Sequence, residues 1–425
     1  MKKTFEIPWG RSTLPWQTSL SLVHPSADPD KSPARSPSAA LDEPLGSPPL
    51  EELAEGARRV AVVLPDATRA WQEIPLMVEA VAKRLRRARC GKIEWILGLG
   101  QHRPSTEEEM AHIVGPFAGP DDAVFCHDAS ATDDLGRRTS RGTVLSVQPE
   151  VADADLVVFV GGICYHDLAG FSGGRKALLP GVSARTSIQA NHRLGMTDRG
   201  FNPCVASGVL EGNPVHEDMA EYLDLFLQGR RAFLLNVVPD GKGRPYDYVA
   251  GDPVRAWRKG VERAVELQTL WTERECDAAV VSSGGYPYDI DLYQATKALA
   301  SVYGALCPRG GIVLVADLEE GMGTDVFDRT MRLALVDFEG AMEALRHDFT
   351  IPAYIAVKIA WELSTRPAAL VTSAGDRVAF PGLVTDDMEA ALAHATRGVA
   401  PGATLFVPSG NTVLVRKRQA PQQSR

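Results

Sequence analysis

The run R-V-A-V-V-L-P (Arg59–Pro65), followed by E-I-P-L-M-V-E-A-V-A-K-R-L-R-R (Glu73–Arg87) and K-I-E-W-I-L-G-L (Lys92–Leu99), decides the fold. The first and third segments are short, apolar and rich in branched residues, as strands buried on both faces require. The middle segment places Ile74, Val78, Val81 and Leu85 at helical spacing, with its basic residues toward the C-terminal end, where they complement the helix dipole. Strand, helix, strand is a βαβ unit, so the two strands are expected to be parallel neighbours. In open α/β sheets ligands bind outside the carboxyl ends of the strands. Asp66, Thr68 and Arg69 follow the first strand, and His102 follows the second in G-Q-H-R-P-S-T-E-E-E (Gly100–Glu109). Ser105 is the expected N-cap of the next helix, with Glu108 completing a capping box and Gly115 closing it.

Further along, Ala123–Cys126 reads as a short strand and Leu156–Gly162 as a clear one. The latter delivers H-D-L-A-G-F-S-G-G-R-K (His166–Lys176) to the same edge. Ser172, Gly173 and Gly174 form a small loop whose backbone N–H groups can approach an anion. Lys176 is a point charge or a nucleophilic amine. A helix over 184–194 carries Asn191 and His192, and a neutral imidazole can serve a metal. Pro214–Leu227 is amphipathic, and Ala232–Val238 is another strand.

A second α/β block begins near Glu275. It has strands at Ala278–Ser283, Gly311–Leu318 and Ala368–Ser373, and a helix entered through D-L-Y-Q-A-T-K (Asp291–Lys297) and running to about Leu306. Gln294 and Lys297 share a face of that helix. Thr404–Pro408 and Thr412–Arg416 are expected to form a closing strand pair. Upstream, Phe5–Leu22 reads as a hairpin turned at Pro8-Trp9-Gly10, and the Pro/Ser-rich segment 25–50 as a linker or insertion. The expected architecture is α/β: two α/β domains with largely parallel sheets and an active-site cleft between them. The boundaries are 1–24 for N-terminal strands, 25–50 for the linker, 51–272 for a cofactor-binding domain and 273–425 for a domain completing the substrate site.

Composition narrows the class. The 425 residues are 44% hydrophobic and 23% charged, with a net charge of −9. This is a globular composition whose sign argues against general nucleic-acid binding. The six cysteines are scattered with no C-x-x-C pair, which points to a reducing compartment and away from a cysteine zinc site. No signal peptide or membrane-length apolar run is present, so the expected location is the cytoplasm.

Several chemistries fit these residues. His102, His166 and His192 could form a three-histidine zinc site, although no H-x-H or H-E-x-x-H spacing supports it. They could equally divide between metal binding and proton transfer. Arg69 can hold a carboxylate bidentately. Lys297 is either a second carboxylate ligand or a solvated helix lysine. Cys164 two residues before His166 gives a nucleophile–base pair on paper, with nothing to mark the thiol as activated.

The ordered set D-A-T-R (Asp66–Arg69), Gly100–Glu109, His166–Lys176, A-N-H (Ala190–His192) and Y-Q-A-T-K (Tyr293–Lys297) resembles the nickel-pincer-nucleotide lactate racemase family and its 2-hydroxyacid racemase and epimerase relatives. E-G-N-P-V-H-E-D-M (Glu211–Met219) and L-N-V-V-P-D-G (Leu235–Gly241) support it. The resemblance runs from about Ile7 to Val415, excluding the Pro/Ser-rich segment. It implies a covalent cofactor on Lys176, a pyridinium-3,5-bisthiocarboxylic acid mononucleotide holding nickel, with His192 as protein ligand to the metal. It implies that Asp66, Thr68, Ser172, Gly173, Gly174 and Tyr293 help hold the nucleotide. His102 and His166 would move protons, and Arg69, Lys297 and Gln294 would bind the substrate carboxylate. Maturation proteins would be partners, and protein made without them would be apo. Oligomeric state is not implied. A tryptophan expected beside the substrate near position 354 is replaced by Tyr354, which leaves room for a hydroxyacid other than lactate. The rivals are a zinc hydrolase and a non-catalytic hydroxyacid-binding homologue.

Overall fold

The computed structural model describes residues 2–27, 34–397 and 402–418. The chain divides into two units. One comprises 30–196 and 202–268, and the other 1–29, 197–201 and 269–425. The N-terminal strands therefore belong with the C-terminal block rather than standing alone.

The first unit is built on a six-stranded sheet in the order Pro245–Gly251, Arg231–Pro239, Leu156–Gly162, Arg59–Pro65, Lys92–Gly98, Ala123–Cys126. All neighbours are parallel except the Pro245–Gly251 edge strand. Arg59–Pro65 pairs with Lys92–Gly98 in register from Arg59↔Lys92 to Pro65↔Gly98, as the βαβ reading requires. The connecting helix Ile74–Arg87 buries Ile74, Met77, Val78, Val81 and Leu85 in one core with Val60, Val62 and Leu64 of the strand. Each such aliphatic side chain contributes roughly 1.5–3 kcal/mol on burial. The next helix, Glu107–Ile113, starts one residue later than expected. Thr106 is its N-cap and Glu109 closes the capping box, because both members of the Ser105-Thr106 pair are N-cap types and backbone position decides between them.

Segment 25–50 is not a plain linker in its described part. Pro37–Asp42 is a helix capped by Ser36, with Ala40 and Leu41 buried in the same core, and Leu45 N donates to Ala250 O. A Pro/Ser-rich composition concealed the adjacent apolar pair Ala40-Leu41 that this helix buries. Residues 28–33 of that stretch lie outside the described ones.

The second unit carries an all-parallel six-stranded sheet in the order Leu383–Thr385, Ala368–Val371, Leu306–Val315, Cys276–Ser282, Thr404–Val407, Leu22–Val23. The expected hairpin forms from Lys3–Trp9 and Ser12–Thr18, but Pro8 and Trp9 are paired strand residues and the turn is Gly10-Arg11. Two expectations fail here. Thr404–Val407 and Leu414–Lys417 do not pair with each other. The first lies between Cys276–Ser282 and Leu22–Val23, and the second pairs with Thr269–Thr272. The expected helix to Leu306 is one α-turn, Leu292–Ala295, followed by 3-10 turns, and Leu306 already opens a strand. Among the described residues, no helix is long and apolar enough to cross a membrane.

Candidate active site

Strand order in the first sheet reverses between Arg59–Pro65 and Leu156–Gly162, since the chain runs outward from the former on one side and continues from the latter on the other. Such a switch point opens a crevice at the carboxyl ends. Asp66–Arg69 leaves one of these two strands and the His166–Lys176 loop leaves the other. His102 leaves the strand next to the first. Topology alone thus gathers these three loops to one edge.

Asp66 is buried, and its Oδ2 lies 2.6 Å from His102 Nδ1. A carboxylate can only accept, so Nδ1 of His102 carries a proton, and in the neutral ring Nε2 keeps its lone pair. The expected role of Asp66 was to help hold a nucleotide; the contact its Oδ2 makes is with this histidine. Arg69 sits half-buried in the 3-10 turn Ala67–Gln72, with φ −111° and ψ 28°. The side chain of Thr68 lies outside the described residues.

His166 stands on a two-residue hairpin, Tyr165–His166 with Gly170–Phe171. Its Nδ1 receives the backbone N–H of Leu168 at 3.1 Å and of Ala169 at 3.3 Å. The loop that follows is turned inward. Ser172 N donates to Cys164 O, and its hydroxyl donates to Gly162 O at 2.8 Å. Gly174 N donates to Asn236 Oδ1 at 2.9 Å. The amides of Ser172 and Gly174 therefore do not form the expected anion cradle. The two glycines serve packing: a Cβ on Gly173 would lie 2.7 Å from Asn236 Oδ1, and one on Gly174 would lie 2.5 Å from Trp257 Cδ1. Cys164 Sγ lies 3.2 Å from Ser172 Oγ.

Lys176 follows in the 3-10 turn Gly174–Ala177. Burial, then the adjacent Arg175 cation, lowers its pKa to about 7, so a large share of its amine is neutral near neutral pH. His192 is buried on helix Arg185–Arg193, and its Nδ1 pairs with Ile188 O at 2.9 Å. That bond puts the ring proton on Nδ1 and leaves Nε2 as a lone pair, the form in which histidine binds metals. Burial, and after it the charge of Lys176, pushes His192 down to about 3, which keeps the ring neutral. The neighbouring Asn191 fixes the helix, donating to Val215 O and to Asp218 Oδ2 at 2.9 Å. Among the described residues, no three of His, Cys, Asp and Glu converge to hold a metal, so the three-histidine zinc reading has no donor set.

In the second unit Tyr293, Gln294 and Lys297 follow Cys276–Ser282, which flanks that sheet's own point of strand-order reversal. Asp291 caps the turn by accepting Gln294 N at 2.6 Å, and Lys297 Nζ donates to Gln294 Oε1. Tyr293 packs edge-on to Phe327. Tyr354 is fully buried between Phe201 and Phe349, so it is a core aromatic rather than a residue lining a pocket.

Residues 11–201 match the Lactate racemase N-terminal domain and residues 271–379 the Lactate racemase C-terminal domain. Lactate racemase of Thermoanaerobacterium thermosaccharolyticum is 31% identical over 338 residues, covering 76% of each chain. The chain belongs to the lactate racemase family. Lactate racemase of Lactiplantibacillus plantarum is likewise 31% identical over 328 residues, 76% of this chain and 74% of that one. The solved lactate racemase apoprotein from T. thermosaccharolyticum superimposes with a TM-score of 0.85 at 26% identity, covering 97% of this chain and 100% of that one. A Thermotoga maritima protein shares the fold at a TM-score of 0.61 and 18% identity, over 88% of this chain and 99% of its own.

Two further residues of this lactate racemase homologue belong to the His166–Lys176 loop, and local sequence pattern does not mark them. Arg175 is 2% exposed, donates from Nη2 to Ala169 O and Phe171 O, and lies 4.0 Å over the Trp257 ring, with no carboxylate paired to it among the described residues. Nothing local marks it, because the ring that covers it comes from the distant helix Arg255–Gln268. Asp167 is the other, with Oδ1 3.2 Å from His166 Nδ1.

The depressed Lys176 pKa makes a testable difference among the lysines. At pH 7.5 an amine with a pKa near 7 is roughly three-quarters neutral, against about one part in a thousand for an ordinary lysine. A small acylating reagent at limiting dose should label Lys176 at least about tenfold faster than exposed lysines, with a half-rise near pH 7. Peptide mass spectrometry across pH 6–9 measures it, and labelling no faster than at Lys2 or Lys83 would refute the shift.

Proposed function

We propose that this chain inverts the C2 stereocentre of a 2-hydroxyacid, lactate-like or larger, using a nickel pincer nucleotide joined covalently to Lys176. The observation that carries this reading is a half-buried Lys176, its amine brought down to about 7 by burial, together with a buried His192 whose Nδ1 is held by Ile188 O so that the neutral ring presents Nε2 unprotonated. An amine must be unprotonated to form an acyl bond, and an imidazole must be unprotonated to ligate nickel. The residues present therefore fit the group. When bound, it supplies a ring that accepts a hydride from C2 and gives it back.

Everything else falls to the protein. His102, oriented by Asp66, takes the hydroxyl proton at Nε2 as C2 loses its hydride, leaving a 2-oxoacid. Return of hydride to the opposite face requires a proton donor for the oxygen, and His166 is the second histidine of this edge. Two acid–base groups suit a reaction in which the hydroxyl is approached for either enantiomer. Arg69 is a planar, permanently charged partner for the substrate carboxylate. Lys297, with its Gln294 partner, is the second cation of this proposal, and Tyr293 is proposed to contact the nucleotide. The cytoplasm is the proposed location, where the free thiols suit a reducing medium.

The test is stereochemical. Protein produced together with cofactor-maturation proteins is given enantiopure 2-hydroxyacids of increasing size and followed by chiral chromatography. The expected result is conversion of either enantiomer of at least one acid to the same mixture. Adduct-bearing protein that binds these acids yet leaves each optically pure would refute the reading in favour of a binding protein.

A further inference from the structure

The two histidines of the crevice are held in opposite tautomers. His102 has its proton on Nδ1, facing Asp66, and its lone pair on Nε2. His166 turns Nδ1 to two backbone N–H groups, of Leu168 and Ala169. These groups can only donate, so Nδ1 is the acceptor and the neutral ring carries its proton on Nε2. In that state His166 is idle. Its Nε2 has no lone pair to take a proton, and giving one up would leave an imidazolate.

For His166 to act at Nε2, Nδ1 must carry a proton and find an acceptor. The two amides cannot provide one. Asp167 Oδ1 lies 3.2 Å from Nδ1, and both side chains are about four-fifths buried, at 23% and 20% exposure. We propose that Asp167 is the positioning residue for the working form of His166, accepting Nδ1–H as the ring leaves the backbone amides. Nδ1 then has two alternative partners. The amides hold the idle ring, and the Asp167 carboxylate holds the ring that exchanges protons. The idle ring enters this cycle by taking a solvent proton at Nδ1, and the imidazolium so formed gives its Nε2 proton to the substrate oxygen. As a base, neutral His166 with Nδ1–H on Asp167 takes the substrate hydroxyl proton at Nε2 and becomes an imidazolium. As an acid, that imidazolium returns the Nε2 proton to the substrate oxygen and reverts to the neutral ring. Asp167 keeps its own charge throughout. The arrangement gives His166 what Asp66 gives His102, but through a switch rather than a fixed bond.

The need for both states rests on the racemase reading; the contact does not. Asp167 also acts on Lys176, whose other charged or titrating neighbours are Arg175, Arg69 and Cys164. Arg175 holds the same hairpin through Ala169 O and Phe171 O. All of these remain in an Asp167→Asn variant, so the difference from wild type isolates the one carboxylate.

The experiment is a titration of full-length apo protein with ring-15N histidine, read by two-bond proton–nitrogen correlation, with His166 identified by its loss in His166→Gln. Asp167→Asn should lower the His166 midpoint by about one pH unit, a tenfold weaker hold on the second proton, and Asp167→Glu should restore most of it. In adduct-bearing enzyme, Asp167→Asn should lower kcat at least about tenfold with the adduct mass unchanged. A midpoint in Asp167→Asn equal to wild type overturns the role of Asp167, whether or not the loaded enzyme racemises. A shifted midpoint with a wild type that racemises nothing overturns the racemase reading alone.

Discussion

Lys176→Ala, made with the maturation proteins, is expected to carry no covalent adduct and to show no racemisation above background. The alanine has no amine, and no neighbouring lysine shares the position. Lys176→Arg should fail equally, since a guanidinium stays protonated and makes a poor nucleophile. What singles out Lys176 is its surroundings. Burial and the Arg175 charge bring it to about 7, and burial keeps His192 neutral beside it. Among the described residues no carboxylate pairs with Arg175, which is itself lowered to about 9 by burial; its charge lowers Lys176, and the Asp167 carboxylate opposes that effect in part. Intact-protein mass spectrometry decides the matter: a Lys176→Ala protein that keeps the full adduct mass would remove the tether role. Purified wild type made without maturation proteins supplies the zero-adduct reference.

The second large effect is expected at the proton-transfer pair. His102→Ala and His166→Ala should each lower the racemisation rate by ~10²–10⁴, the usual range for a positioned acid–base group, with the adduct mass unchanged. Asp66→Asn should fall in the same direction through the tautomer, because an amide can donate to Nδ1 and turn the ring proton to Nε2. The short contact between His102 Nδ1 and buried Asp66 is the reason. Rates within twofold of wild type in both alanine variants would remove the two-base account. Loss of adduct in either would instead make that histidine part of cofactor attachment.

Local pattern carried the fold where pattern is local. Arg59–Pro65, Lys92–Gly98, Leu156–Gly162 and helix Pro214–Leu227 all stand within a residue of where their apolar spacing and caps put them. Pairing is not local, and there the sequence was silent. Thr404–Val407 and Leu414–Lys417 look like neighbours but serve different sheets, because each finds an apolar partner far away in the chain. The segment around Leu41 hid a small packed helix behind a Pro/Ser-rich composition.

The candidate site divides along the same line. Carboxyl-end logic brought Asp66, Arg69, His102 and the His166–Lys176 loop to one edge without any side-chain geometry. It could not tell which hydrogen bonds the loop would satisfy internally. Ser172 and Gly174 therefore looked like an anion cradle, when their amides go to Cys164 O and Asn236. Nor could it show that Asp66 Oδ2 meets His102 Nδ1. Arg175 and Asp167 stood in plain view within the motif. Their roles depend on Trp257 stacking and on a 3.2 Å contact, neither of which has a sequence signature.

The central claim is that C2 is inverted by removal and internal return of a hydride. Adduct-bearing enzyme is incubated with one enantiomer of a 2-hydroxyacid it converts, in deuterated water, and the inverted product is isolated and examined by proton NMR and mass spectrometry. The account predicts protium retained at C2 in nearly every inverted molecule, because the hydride never exchanges with solvent. About one deuterium at C2 per inversion would contradict it and establish proton abstraction from carbon instead.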